Sequence, residues 1–414
     1  MYLLNRGAGS AMSCPWDFVT PRRLVAASVT IVVSYLAFLV AWAWTSHGFT
    51  LADAGRPGAD FQIFWIASYL LQHGSPLQVY DHLALAHADA TVFGAFADAH
   101  PLPWLYPPAS LLVIAPLAWL SYGVAYLVFT GVSVALYVLA TLRVSNLSAS
   151  MDTPRLGAVV IAAAPCVFIT ALVGQNSLLT AAIAGFALGL LDNKPVRAGL
   201  LIGVLAIKPQ LAIVFPFVLV AARAYKTLAA AAAGALAVSA VGVAIAGPAS
   251  VPRFLANADV LRSALVEHGQ HFWLSSPTAF AAFRLAGMPV VAAYLAHAFV
   301  ATVAICAACR VWRRSDDLRL RGAILAVAAL LATPYAWHYE LVWMGIALAC
   351  LTALAFEDGW LRGEQAVLAA AWLLPIYEHL NRVMLAPQIG PLVLLAMMLV
   401  VLRRTRFAAD GARP

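Results

Sequence analysis

Residues Leu24–Trp44 read LVAASVTIVVSYLAFLVAWAW, a run with no charged side chain. At helical rise this length crosses the roughly 30 Å hydrocarbon core of a bilayer. Pro21-Arg22-Arg23 stands directly before it, so the positive-inside rule places the N-terminus in the cytoplasm and the following loop outside. A secretory signal is the rival reading. Its apolar region would be too long here, and no small-x-small cleavage site follows, so the run is an anchor.

Comparable runs recur from Leu24 to Leu402, and 63% of the 414 residues are hydrophobic while only 10% are charged. Soluble domains carry about 25% charged residues, and the mean hydropathy here is +0.87. The fold class is therefore all-α: a polytopic transmembrane helical bundle, with residues 1–414 forming a single membrane domain. The net charge of +7 does not indicate nucleic acid, because the basic residues lie in short clusters between apolar runs, where they set orientation. Of the five cysteines, Cys14, Cys166, Cys306, Cys309 and Cys350, only Cys306 and Cys309 have CxxC spacing. Their flanks are apolar and no second ligand pair lies nearby, so packing is the expected role.

About twelve spans are expected. Two long external loops separate them, 47–105 with interfacial helices and 247–289 with Trp273 and Arg284. The clusters Arg310, Arg313, Arg314, Arg319, Arg321 and Arg403, Arg404, Arg406 belong in the cytoplasm, which puts Thr333–His338 outside with the first loop. Residues 106–226 allow two arrangements. In one, 109–120 is re-entrant and the chain turns outside at both Gly174-Gln175-Asn176 and Lys208-Pro209. In the other, 109–120 spans and Gly174-Gln175-Asn176 faces the cytoplasm.

Asp60 opens the stretch Asp60-Phe-Gln-Ile-Phe-Trp65, after the breaker run Gly55-Arg-Pro-Gly58. Phe61, Phe64 and Trp65 have the spacing of an amphipathic helix at the membrane surface. Asp60 either caps that helix or places an acid between water and lipid. Lys208 lies near the middle of the apolar segment 198–222, where insertion costs roughly 2.5–3.5 kcal/mol unless compensated. With few acids in the spans, an anionic ligand is the expected compensation, and a salt bridge to a neighbouring acid is the alternative. Gln175 and Asn176 are suited to sugar hydroxyls or to an ordinary polar turn. Trp337 fits an aromatic belt, but His338 and Glu340 beside it do not. His82 with His87 is not a ligand spacing for one helical face, and the other histidines, His100 in the same loop among them, show no HExxH-like pattern, so no metal or cofactor is expected.

Asp60, Tyr106-Pro-Pro108 opening the next segment, Gly174-Gln-Asn176, Lys208-Pro209 and Trp337-His338 occur in this order. That order resembles glycosyltransferase family 87. The resemblance covers about 60–340 and implies a GT-C-type bundle, which transfers a hexose, mannose first among the candidates, from a polyprenyl-phosphate sugar. It further implies inversion, a lipid or glycan acceptor on the non-cytoplasmic face of the plasma or inner membrane, and Asp60 as general base. His338 is the second catalytic candidate. Lys208, Gln175, Asn176, Tyr106, Trp65, Arg284 and Trp337 are the substrate-binding ones. Leu-Ser-Ser-Pro-Thr after Trp273 departs from the Asn-Gln-Ser-like run of many mycobacterial members, which leaves sugar and acceptor open. A transporter or flippase of a lipid-linked or small polar substrate is the alternative, but no repeated halves with matching broken helices are visible.

Overall fold

The computed structural model describes residues 18–98, 103–151 and 153–411. Cys14 and His100 lie outside them. Within the described residues there are nineteen α-helices and no strand. Five helices are long and apolar enough to cross a membrane: Pro21–Thr45, Tyr122–Ser145, Tyr225–Ala246, Val290–Arg314 and His338–Asp358, the last beginning in a 3₁₀ turn. A sixth arises if Arg155–Ala162 and Pro165–Val173, bent by 63°, count as one span. Several long apolar helices make this a multi-pass membrane protein.

The expected count of about twelve exceeds these spans, and proline explains two of the missing ones, 109–120 and 198–222. Apolar run length measures hydrophobicity, whereas proline removes a backbone donor and breaks the ladder. Pro107-Pro108 does open a turn, but 109–120 folds as short pieces, Pro108–Ser110, Leu111–Ile114 and Leu117–Trp119. Segment 198–222 likewise splits into Pro195–Val204, two 3₁₀ turns flanking Lys208, and Phe215–Ala221.

The core is Leu318–Ala332 packed against Val342–Asp358, both buried over most of their lengths. Helix Pro195–Val204 lies directly on Tyr225–Ala246 because Gly199 and Gly203 present no side chain. A Cβ on Gly203 would come within 2.5 Å of the Ala235 nitrogen, the small-residue contact by which membrane helices approach. The first helix, by contrast, touches the bundle lightly. Tyr35 stacks on Phe168 with centroids 3.9 Å apart, and Trp42 donates to the Ala54 carbonyl at 2.9 Å. Cys166 and Cys350 are buried in the core, while Cys306 is exposed.

The charges separate along the bundle. Leu318–Ala332 starts among Arg319 and Arg321, which pair with Asp317, Glu357 and Asp316, and its other end leads into Thr333–Trp337. At the Arg319 end, Arg404 is buried and pairs with Glu364. The expected first loop carries helices Phe61–His73 and His82–Phe93. The second carries Ser250–Leu261, Gln270–Leu274 and Ala279–Leu285.

Candidate active site

The loop before Phe61–His73 is pinned to the end of Pro165–Val173 by two backbone bonds. Gly58 N–H donates to the Leu172 carbonyl at 2.8 Å, and Asp60 N–H to the Val173 carbonyl at 3.0 Å. Gly174 makes this approach feasible: its φ is +78°, and a Cβ there would lie 2.5 Å from the Phe61 Cβ. Asp60 precedes the helix, but its side chain makes no capping bond. The capping alternative is thereby overturned. Its Oδ2 instead accepts from Gln175 Nε2 at 3.1 Å.

The orientation of the Gln175 amide follows from its other contacts. Its Oε1 accepts from the Tyr106 hydroxyl at 3.1 Å and from the Asn176 backbone N–H at 3.3 Å. A backbone N–H only donates, so the amide oxygen faces Asn176 and the NH₂ faces Asp60. Burial holds the Tyr106 phenol well above its usual range, so it stays protonated and able to donate. Burial also pushes the Asp60 carboxyl up to about 6. The Gln175 hydrogen bond and the nearby Arg382 charge oppose that shift.

Lys208 hangs on the same turn from the other side. Its ammonium lies 2.6 Å from Glu340 Oε1, 3.0 Å from Asn176 Oδ1 and 3.2 Å from Ser177 Oγ. Glu340 Oε2 accepts from the Trp337 N–H at 2.7 Å. Lys208 is 2% exposed and Glu340 1%. Of the two compensations expected for Lys208, the salt bridge is present here, and its acid comes from a distant part of the chain. The contacts also decide between the two arrangements of 106–226. Gln175 touches Asp60 and Asn176 touches Lys208, so Gly174-Gln175-Asn176 lies on the Asp60 side.

A cavity of about 510 Å³ opens here, lined by Asp60, Tyr106, Gln175, Lys208 and Trp337 among the expected residues. That size suits a small ligand or part of a larger one. Asn176 reaches the site through Lys208. Like Asn176, three further expected residues do not line the cavity. Trp65 turns to the Leu120 carbonyl at 3.1 Å. His338 is buried against His379, its Nε2 3.2 Å from His379 Nδ1. Arg284 stacks on Trp273 and donates to the Glu267 and Met288 carbonyls. Arg56, Gln62, Asp89, Tyr335 and Tyr339 also line the cavity, and sequence reading had not singled them out. Arg56 stood in the quoted breaker run, where a cation four positions before an acid was the available signal.

No curated protein and no solved structure matches the chain. Residues 104–334 match glycosyltransferase family 87, a segment that includes Tyr106, Gln175, Asn176, Lys208 and Arg284 and covers more than half of the chain. The protein therefore belongs to glycosyltransferase family 87, and it is a membrane glycosyltransferase with a sugar donor and an acceptor.

Proposed function

We propose that this enzyme transfers a hexose, mannose first among the candidates, from a polyprenyl-phosphate sugar to a lipid or glycan acceptor on the non-cytoplasmic face. The observation that carries the proposal is the state of Asp60. It faces a cavity, forgoes the cap its position offers, and among the described residues holds only one side-chain hydrogen bond, on Oδ2. Oδ1 is the atom left to take a proton. A carboxylate with a pKa near 6 is better matched to this work than an ordinary one, because a general base is most effective when its pKa approaches the working pH.

The acceptor hydroxyl oxygen attacks C1 of the sugar, and its proton passes to Asp60 Oδ1. The C1–O bond to phosphate breaks, its electron pair stays on the phosphate oxygen, and polyprenyl phosphate departs. Attack from the face opposite the phosphate inverts the anomeric centre. Gln175 keeps Oδ2 occupied, so that the free oxygen is the one presented. The placement outside follows from the basic clusters at the far end of Leu318–Ala332, which the positive-inside rule assigns to the cytoplasm.

The test is incubation of purified protein with a panel of polyprenyl-phosphate sugars and with nucleotide sugars. Release of free polyprenyl phosphate from one of the lipid donors is the expected result. Turnover of a nucleotide sugar alone would overturn the donor class.

A further inference from the structure

The donor proposed above leaves as a phosphate, and the following inference rests on that reading. Two cations line the cavity, Lys208 and Arg56, and they are in opposite states. An ammonium has three N–H donors. Those of Lys208 go to Glu340, Asn176 and Ser177, with Glu340 also balancing its charge. A phosphate would have to displace one of these partners.

Arg56 has no acid within ion-pair distance among the described residues. Among the described residues, one of its five N–H groups meets a protein acceptor, Nη2 on Gln62 Oε1 at 2.6 Å. Its guanidinium carbon lies 4.3 Å from the Tyr122 ring centroid, 4.6 Å from Phe93 and 4.7 Å from Phe96. Aromatic rings against a guanidinium occupy its faces, whereas hydrogen bonding uses its edge. Gln62 is fixed in turn, since its Nε2 donates to Asp89 Oδ1 at 2.8 Å and to the Phe96 carbonyl at 2.9 Å. Asp89, the acid that Gln62 holds, is also occupied. Its Oδ2 accepts from the Asp98 N–H at 2.8 Å.

We infer that Arg56 is the phosphate-binding residue of this site. Its unused edge takes two oxygens of the polyprenyl phosphate, and its charge stabilises the negative charge that develops as the C1–O bond breaks. The surrounding rings and Gln62 hold the side chain ready, so little rotamer freedom remains to be lost on binding. Arg284 is excluded by its contacts outside the cavity. Arg382, exposed over Trp337 at 5.8 Å, is the competing cation.

The test compares undecaprenyl monophosphate with uncharged undecaprenol as ligands for detergent-purified wild type, Arg56→Gln, Arg56→Lys and Arg382→Gln. Arg56→Gln is expected to weaken the phosphate lipid by at least about tenfold, the scale of one lost charged hydrogen-bond pair, and to bind the alcohol as wild type does. Arg56→Lys should fall between them, and Arg382→Gln should remain near wild type. Wild-type affinity for the phosphate in Arg56→Gln would overturn the assignment. So would an equal loss for both lipids, or a larger loss in Arg382→Gln. A wild-type protein that does not prefer the phosphate to the alcohol would remove the proposed donor class along with it.

Discussion

Two charged groups hang on the turn Gly174–Ser177, and they have been treated in opposite ways. Lys208 is enclosed and matched by an acid and two neutral acceptors. Asp60, bonded through the next side chain along the turn, has one neutral donor and a cavity in front of it. A fully satisfied buried charge contributes order to the loops it joins, here 174–177 and 337–340. Asp60, partly exposed, keeps an oxygen open toward the cavity, which under the proposed function is the one that takes the proton. The number of partners each charge has among the described residues is what separates them.

The sharpest way to break this comparison is to remove Lys208. Lys208→Met leaves Glu340 buried and unpaired, and the expected destabilisation is about 3–5 kcal/mol, read as a lower melting temperature in detergent. Lys208→Met with Glu340→Leu should regain most of it, since replacing both members of a buried pair is often neutral. A single variant as stable as wild type would show that the pair is not structural.

Asp60→Asn should behave in the opposite sense. Turnover should fall by at least about a hundredfold, measured on folded, donor-binding protein. Stability should rise. Asp60 has a pKa of about 6 in the fold against an ordinary 3.8, so the folded state binds its proton more tightly than the unfolded chain does. The stability this confers is complete below the ordinary value and is lost as pH rises through about 6. At pH 8 the neutral amide should therefore gain on the order of 1 kcal/mol, a value reduced for partial exposure of the side chain. A loss of stability with activity retained would return Asp60 to a structural role.

The smallest effect concerns Gln175. Wild-type turnover should fall on the acid side with a midpoint near pH 6, where Asp60 takes up its proton. Gln175→Leu removes a donor that favours the charged carboxylate, so the limb should move upward, by about half to one pH unit. A purely structural role would lower turnover without moving the limb. The check is the pH profile of turnover for both proteins.

Sequence alone located Asp60, because a breaker run followed by aromatic residues at helical spacing is a local pattern, and helix Phe61–His73 formed where that spacing placed it. It also marked Lys208 as a residue in need of a partner. It did not supply the partner. Glu340 is far along the chain, and pairing at that separation is decided by which helix ends meet. Arg56 was hidden by its neighbours, since Gly-Arg-Pro-Gly reads as punctuation and nothing local says that Phe93, Phe96 and Tyr122 will gather around the guanidinium. The span count suffered from a related limit. Apolar runs around Pro108 and Pro209 have the composition of spans, but their geometry is set by backbone groups that hydropathy does not register.

Gly174 carries a consequence for how this gene can change. Glycine codons reach their coding neighbours by one base substitution, and every amino acid reached that way carries a Cβ. At this position that atom would enter at 2.5 Å from the Phe61 Cβ, in a backbone conformation with φ +78° that side chains rarely adopt. The single-step missense neighbourhood of the codon thus contains only changes that force apart the loop bearing Asp60 and the turn bearing Gln175. Drift at the many exposed positions of the first helix meets no such contact, whereas at residue 174 every missense step does.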